Sequence, residues 1–391
     1  MTYLVTMRGD APLSNTITLT PGFGDKRNSA TIYVGDCIES LKLMPEKSVQ
    51  TCITSPPYWG LRDYGHDGQV GLEQTPDEYV AKMVEVFREV RRVLRDDGTL
   101  WVNLGDSYMA TKNCVNPPQS VADGSMRGMP SFIAPNRKDQ DGLKSKDLVG
   151  IPWRVALALQ ADGWWLRQDI IWNKPNPMPE SVRDRCTKSH EYIFLLAKSN
   201  LYYFDHEAIK EKSVTGDTRT PYGSDGAWAM DGRDKWEEGK GQQRPNADGA
   251  RRNRRSVWTI NTKPYAGAHF ATFPEKLVEP MVLAGSSEVG CCPSCGAPWG
   301  RAGSTVEWEP TCKCPEHKPV PCLVLDPFTG SGTTGAVSLR LGRNFVGCEL
   351  NPEYAKLAES RILGESPPDS EESGESESES VFDLFGNDDG E

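Results

Sequence analysis

The 391-residue chain contains no run of about 18 uninterrupted apolar residues, which excludes an ordinary membrane-spanning helix. Its first residues, Met1 to Asp10, lack the basic-then-apolar layout of a secretory signal, so a cytoplasmic setting is expected. Nor do the eleven cysteines form an even, dispersed set. Six of them crowd between Cys291 and Cys322, a pattern of reduced thiols with a local metal site and not of a disulfide framework. Lysine and arginine are missing from Glu365 to Glu391, which holds eleven Asp and Glu. The whole formal charge of -11 therefore sits in that tail, and the rest of the chain is balanced at 44 acidic and 44 basic side chains. An acidic average thus says nothing against a nucleic-acid partner for the body. With 37% apolar and 25% charged residues the chain can bury a sizeable core, as two or three domains or one domain with insertions.

Residues 1–30 are polar with little periodicity and read as an N-terminal arm. From residue 31 onward strand-like and helical patterns alternate. Thr31 to Val34 reads as a strand, Cys37 to Leu43 as a short helix and Val49 to Ile53 as a buried strand. Thr75-Pro76-Asp77-Glu78 is a capping box with proline at the first helical position. It opens a helix with Tyr79, Met83, Phe87, Val90 and Leu94 at helical spacing, expected to end at Gly98 before a strand from Thr99 to Leu104. A helix over Pro152–Ala161 and strands over Leu166–Trp172 and Tyr192–Ala197 continue the pattern. The expected class is α/β with a parallel sheet. Polar stretches at 105–147 and about 207–255 interrupt it as loop-rich insertions.

Leu323 to Gly335 reads as a buried strand, a glycine turn and a helix start. Glycines there let a backbone approach a ligand, and the helix start offers free N–H groups. Gly330-Ser331-Gly332-Thr333-Thr334-Gly335 fits G-x-G-x-x-G, and Glu349 follows at the end of the next strand, where a carboxylate suits ribose hydroxyls. Alone this says an adenosine-containing cofactor, nicotinamide or S-adenosylmethionine, or a tight turn with no ligand. Asp326 favours S-adenosylmethionine, because a carboxylate suits a methionine ammonium and repels a pyrophosphate. Only two βα units remain before the tail, so N-terminal strands must complete the sheet and bring Asp36 near the adenine amino group; its plainer reading is a helix N-cap.

Ser55-Pro56-Pro57-Tyr58 directly follows the buried strand Val49–Ile53. Two prolines fix φ and remove two donors, leaving a rigid turn whose carbonyls accept. Ser55 and the Pro56 carbonyl suit an exocyclic amine on a planar base, with Tyr58 stacking on the ring. An amine inside a duplex is out of reach, so the base must be flipped out.

With these motifs in hand, the chain from about Ile32 to Leu363 resembles the DNA amino-methyltransferases of permuted motif order. Ser55 to Tyr58 matches that family's target-amine motif, and Asp326 to Thr334, including Phe328, matches its cofactor motif, late in the chain as the permuted group requires. Glu349 matches the ribose-binding acid and Asp36 the adenine-side acid. His269 to Leu277, with Phe273, resembles the helix lining the methionine end of the cofactor. Thr99 to Asp106 and Ile171 to Pro175 resemble segments beside the target-base pocket. The resemblance implies a Rossmann-like, circularly permuted methyltransferase sheet, S-adenosylmethionine as cofactor and double-stranded DNA as partner. Serine at the first motif position resembles the cytosine-N4 enzymes, whereas aspartate accompanies adenine N6, which stays the alternative.

Cys292-x-x-Cys295 and Cys312-x-Cys314 read as a tetrahedral structural zinc site, with Cys291 and His317 in reserve. Arg251, Arg252, Arg254 and Arg255, next to Trp258, read as a phosphate-contacting cluster. The expected organisation is an arm (1–30), a first catalytic part (31–206), a target-recognition insertion (207–255), a cofactor-lining helix segment (256–289), a zinc-ribbon-like insertion (290–322), a cofactor-binding part (323–364) and a disordered acidic tail (365–391). Within the tail, Val381-Phe382-Asp383-Leu384-Phe385 resembles a peptide that docks on a replicative sliding clamp. Two rival readings are a dinucleotide-dependent oxidoreductase, which leaves the proline turn without a role, and a non-catalytic zinc DNA-binding protein.

Overall fold

A computed structural model describes residues 3–8, 16–21, 28–61, 66, 68–109, 142–177, 179–212, 251–262, 273–302, 307–315 and 318–364. The clamp-like peptide Val381–Phe385, His317 and most of both long insertions lie outside the described residues. In chain order the elements are β1 (Tyr3–Arg8), β2 (Thr16–Pro21), β3 (Ala30–Val34), α1 (Cys37–Lys42), β4 (Val49–Thr54), α2 (Pro76–Val93), β5 (Leu94–Leu104), α3 (Ile151–Ala161), β6 (Trp165–Asn173) and β7 (His190–Ala197). They continue as β8 (Glu211–Lys212), β9 (Arg251–Arg252), β10 (Val257–Thr259), α4 (Glu275–Gly285), β11 (Trp299–Arg301), β12 (Trp308–Pro310), β13 (Leu323–Asp326), α5 (Thr333–Arg340), β14 (Asn344–Glu349) and α6 (Pro352–Leu363).

One ten-stranded sheet has the order β1-β2-β3-β14-β13-β4-β5-β7-β6-β10. From β3 to β5 every pairing is parallel, while β7 runs against both β5 and β6. The late strands β13 and β14 slot between the early strands β3 and β4, so the two ends of the chain share one sheet. This is the permuted, Rossmann-like arrangement expected. Strand β4 is buried along its whole length, as a central parallel strand covered on both faces must be.

Helix α2 begins as the sequence requires. Thr75 caps it through the Glu78 amide, and Glu78 returns the bond to the Thr75 amide. Its buried face carries Tyr79, Met83, Phe87 and Val90. It ends earlier than Gly98, however: Leu94 turns extended and β5 starts there. Leu94 is fully buried, and its pairing with Val49 claims it for the sheet before glycine can stop the helix. Within residues 1–30, read as an arm, β1 and β2 form an antiparallel pair that extends the sheet beyond β3; Ile17 and Leu19 are buried there against α6 residues Ala355 and Ala358. The alternation of Ile17 and Leu19 with threonines is a strand signal, but a strand of six residues within a polar stretch is short enough to pass for an arm. Among the described residues no helix is long and apolar enough to cross a membrane.

Candidate active site

Four adjacent parallel strands, β3, β14, β13 and β4, end on one edge of the sheet at Val34, Glu349, Asp326 and Thr54. Loops at the carboxyl ends of parallel strands are where an open α/β sheet binds ligands. The glycine turn follows β13 and the Ser-Pro-Pro-Tyr turn follows β4, so both motifs open on the same edge. Asp326 joins them directly: one carboxylate oxygen accepts from the Thr54 hydroxyl at 2.7 Å and the Phe328 amide at 3.1 Å, and the other accepts from the Thr334 hydroxyl at 2.7 Å.

The turn itself is tightly specified. Gly330 and Gly332 have φ of 50° and 77°. A Cβ on Gly332 would lie 2.8 Å from the Ala358 backbone of α6, so only glycine allows this approach. Glu349 accepts from the Gly330 amide at 2.7 Å with one oxygen and from the Asn351 amide at 2.9 Å with the other. Burial raises its carboxyl to about 7. Asp326, 1% exposed, is pushed by burial to about 6 despite its three hydrogen bonds. Its three hydrogen bonds bridge the two motifs. Asp36 caps α1 by accepting from the Glu39 amide at 3.0 Å, the plainer of its two readings. Phe328 packs on the core formed by α1, α2 and β4, and Phe273 on the core of the opposite face beside α4. Arg361, from α6, donates to the hydroxyls of Ser331 and Thr333 at 2.9 and 2.8 Å. Nothing in the sequence spacing pointed to it.

On the other wall, Pro56 is buried, and the Pro57 carbonyl accepts from the Tyr79 hydroxyl at 2.9 Å. Trp59, 1% exposed, donates from Nε1 to the Glu73 carbonyl. These bonds fix the turn on both sides of Tyr58. The Tyr58 ring lies against Gly105, where a Cβ would come within 2.5 Å of it. Its hydroxyl donates to Glu191 at 2.7 Å. Ser55 Oγ lies 3.5 Å from that hydroxyl and 3.4 Å from Asn103 Oδ1. Asn103 donates to Glu191 at 3.1 Å, and Lys174 is ion-paired with the same carboxylate. Asn103 and Lys174 fall in segments singled out from the sequence. Glu191 does not: it occupies an ordinary strand position, and only the antiparallel β5–β7–β6 pairing brings it behind Tyr58.

Replacing Gly105 with alanine should push the Tyr58 ring from its seat. A displacement of about 1 Å at a reacting centre costs on the order of 100-fold in rate. Single-turnover methyl transfer should fall by about that factor with cofactor affinity unchanged, and an unaltered rate would show that the ring position is immaterial.

A family model described as DNA methylase matches residues 49–360, a span that includes both walls of this cleft. The chain belongs to the DNA methylase family. Type II methyltransferase M.Cfr9I of Citrobacter freundii is 42% identical over 338 residues, covering 86% of this chain and 89% of that protein. Type II methyltransferase M.SmaI of Serratia marcescens is 45% identical over 335 residues, covering 86% and 91%. Among solved structures, PvuII DNA methyltransferase (cytosine-N4-specific) superposes with a TM-score of 0.50 at 20% identity, covering 88% of this chain and 90% of that one, a likeness of fold. M.Cfr9I and M.SmaI are both type II methyltransferases, and the chain is accordingly a DNA methylase of the N4/N6 class. Its partner is DNA.

Two further features of the methyltransferase lie away from the cleft. The sulfurs of Cys292, Cys295, Cys312 and Cys314 all lie within 4.8 Å of one another. The Cys295 amide donates to Cys292 Sγ at 3.4 Å, and Gly296 follows with φ of 69°, a compact knuckle presenting both thiols to one point. The second pair follows the β11–β12 hairpin. The module rests on the amino ends of the central strands: Gln50 donates to the Gly296 carbonyl at 3.3 Å and accepts from the Leu323 amide, while Arg95 donates to the Cys295 carbonyl. It thus sits at the opposite end of β4 and β13 from the cleft.

The arginine cluster is more engaged than its sequence suggests. Arg252 and Arg255 both donate to Glu211, at 2.9 and 2.8 Å, closing the two ends of the insertion as the β8–β9 pair. Arg254 lies over the Trp258 ring, 4.5 Å from its centre, and burial lowers its pKa. Arg251 donates to the Lys210 carbonyl and lines a cavity of about 540 Å³ with Arg301, Arg340 and Arg343. That cavity adjoins the end of α5 and the start of β14, not the cleft. The structure brings these four arginines together with Glu211 and Trp258, but not with Ser55 to Tyr58.

Proposed function

We propose that this methyltransferase transfers a methyl group to the exocyclic N4 amine of a cytosine flipped out of double-stranded DNA. The observation that carries this reading is Ser55 at the head of the Pro-Pro-Tyr turn, tied through Thr54 and Asp326 to the glycine turn. Its hydroxyl and the Pro56 carbonyl would accept from the amine, keeping the nitrogen lone pair out of the ring and aimed at the methyl donor. Serine is the residue at this position in the cytosine-N4 enzymes that the motif resembles.

The donor set fits S-adenosylmethionine. The Glu349 oxygens retain acceptor capacity beyond their two backbone bonds and would take the ribose hydroxyls. Gly330 to Thr333 would form the close-approach wall, Phe328 and Phe273 would flank the ligand, and Asp36 would meet the adenine edge with its second oxygen. Asp326, bonded only to neutral groups at Thr54, Phe328 and Thr334 among the described residues, supplies a buried negative charge that the ligand's ammonium would offset. Bound there, S-adenosylmethionine supplies an activated methyl group.

Four thiolates at this spacing are the donor set of a structural zinc ion, and zinc in this reading braces the sheet seam without touching the reaction. Phosphate contact by the Arg251–Arg255 cluster, target recognition by the 207–255 insertion and clamp docking by Val381–Phe385 belong to the same proposal. For the arginines, the Glu211 pairs must open or serve as a hinge. Digesting DNA from cells expressing the enzyme and separating the nucleosides by mass spectrometry tests the assignment: N4-methyldeoxycytidine is expected, and N6-methyldeoxyadenosine in its place would refute it.

A further inference from the structure

Methylating an amine leaves the nitrogen with one proton too many. Enzymes that carry aspartate at the head of this turn hold a carboxylate next to that proton; Ser55 is a poor base. The cleft nevertheless contains a carboxylate two hydrogen-bonded steps away. Ser55 Oγ is 3.5 Å from the Tyr58 hydroxyl, and that hydroxyl donates to Glu191 at 2.7 Å. Asn103 spans the same groups: its Nδ2 donates to Glu191 and to the Tyr192 carbonyl, both at 3.1 Å, which turns its Oδ1 towards Ser55 and Tyr58 at 3.4 and 3.2 Å. The orientation of the amide is thereby fixed, and of the two acceptors facing the Tyr58 hydroxyl, Asn103 Oδ1 at 3.2 Å and Glu191 at 2.7 Å, only the Glu191 carboxylate is a base. Burial, and then the Glu191 charge, hold the Tyr58 phenol well above its usual range, so it keeps its proton until one arrives from Ser55.

We propose that Glu191 is the positioning residue and terminal proton acceptor of the methyl transfer, acting through Tyr58 and Ser55. The inference rests on the reading of the Ser-Pro-Pro-Tyr turn as the amine site. As the nitrogen–methyl bond forms, the sulfur–methyl bond of the donor breaks and its electron pair stays on sulfur. The surplus amine proton passes to Ser55 Oγ, the Ser55 proton to Tyr58 Oη and the Tyr58 proton to Glu191, which ends as a neutral carboxylic acid and returns the proton to water.

The energetics allow a weak terminal base. A nucleobase amine that has gained a fourth substituent is far more acidic than any carboxylic acid, so even a carboxylate paired with Lys174 lies downhill. Lys174, which is ion-paired to Glu191 and stacks 4.2 Å from the Trp172 ring centre, fixes the carboxylate's direction. The other titratable groups facing Glu191 are Tyr58 from the turn, His190 beside it and Lys188 from the preceding loop. Burial lowers both His190 and Lys188, which limits the positive charge crowding the acceptor.

The test is single-turnover methyl transfer to DNA over a range of pH, with cofactor and DNA affinities measured on the same samples. Glu191→Gln should slow transfer by tenfold or more, in the range that general acid–base groups contribute. It should leave both affinities within about twofold and change the shape of the pH–rate profile. Tyr58→Phe, which keeps the ring but breaks the chain of protons, should match it, the double variant should lose no more than either single one, and Glu191→Asp should recover part of the rate. A Glu191→Gln rate within twofold of wild type with the same pH profile overturns the proposal, as does a loss accounted for by weaker DNA or cofactor binding. Should Glu191→Gln fail to fold, Glu191→Asp and Tyr58→Phe carry the same comparison. Wild-type enzyme that transfers no methyl group to DNA counts against the amine-site reading; wild-type transfer with an indifferent Glu191→Gln counts against the relay alone.

Discussion

Stripping the proposed zinc from the four-cysteine cluster should lower the thermal unfolding midpoint by on the order of 10 °C, with little effect on cofactor affinity in the protein that remains folded. The reasoning is positional. Gln50 joins three pieces of backbone at once: its own strand β4, the first residue of β13 and the Gly296 carbonyl of the cysteine knuckle. Those two strands come from opposite ends of the chain, so their pairing closes a loop of more than half the sequence, and closure of long loops is what folding must offset with local contacts. A metal that orders the knuckle secures this seam. Structural zinc sites contribute folding free energy outright, roughly 10 kcal/mol or more in small fingers, and a brace on a larger sheet passes on a fraction of it. Elemental analysis should find one zinc per chain, and Cys295→Ser should lose it together with the stability. Wild-type protein free of zinc, or a Cys295→Ser variant with unchanged melting, would contradict the brace.

Asparagine in place of Asp326 should make the ligand-free protein more stable at pH 8 and bind S-adenosylmethionine at least tenfold more weakly. Burial raises the folded-state pKa of Asp326 from 3.8 to about 6. A shift of that size corresponds to about 3 kcal/mol between the two protonation states. Because the folded value is the higher one, the folded protein binds the extra proton, and stability from this group is greatest below pH 4 and is lost as pH rises towards 6. Glu349, raised to about 7, has the same sign over a slightly higher window. Asparagine keeps an acceptor for Thr54 and Phe328 and removes the buried charge. Its slope of stability between pH 4 and 6 should therefore be smaller than that of wild type. A protein tolerates such a cost where the charge serves a ligand, here a cationic one, so the gain in stability should come with loss of affinity. Melting curves across pH, paired with calorimetric titration of the cofactor, decide it: destabilisation by Asp326→Asn with unchanged affinity would reduce the residue to a strut.

The sequence made the chemistry more legible than the architecture around it. Strand β4, the α2 capping box and the β13–α5–β14 unit are local: burial pattern, cap residues and turn glycines lie within a few residues of one another, and each appears where its pattern placed it. The cysteine quartet was readable for the same reason, since two close pairs need only one short hairpin to meet. Long-range effects were not readable. Leu94 leaves its helix because Val49 and the core claim it, and β1 and β2 are strands only because β3 offers an edge. Glu191 shows no spacing signal, because its place behind Tyr58 is set by two antiparallel pairings across the sheet. Arg252 and Arg255 looked like free cations because Glu211, some 40 residues earlier, is invisible to a local reading.

The most direct test of the account is to incubate purified enzyme with S-adenosylmethionine labelled in the methyl group and with double-stranded DNA, and to identify the labelled nucleoside, beside the same assay on Ser55→Ala. The account predicts label in N4-methyldeoxycytidine from the wild-type enzyme and a loss of at least 100-fold in the variant. Label in another nucleoside, or a Ser55→Ala enzyme as active as wild type, would contradict it.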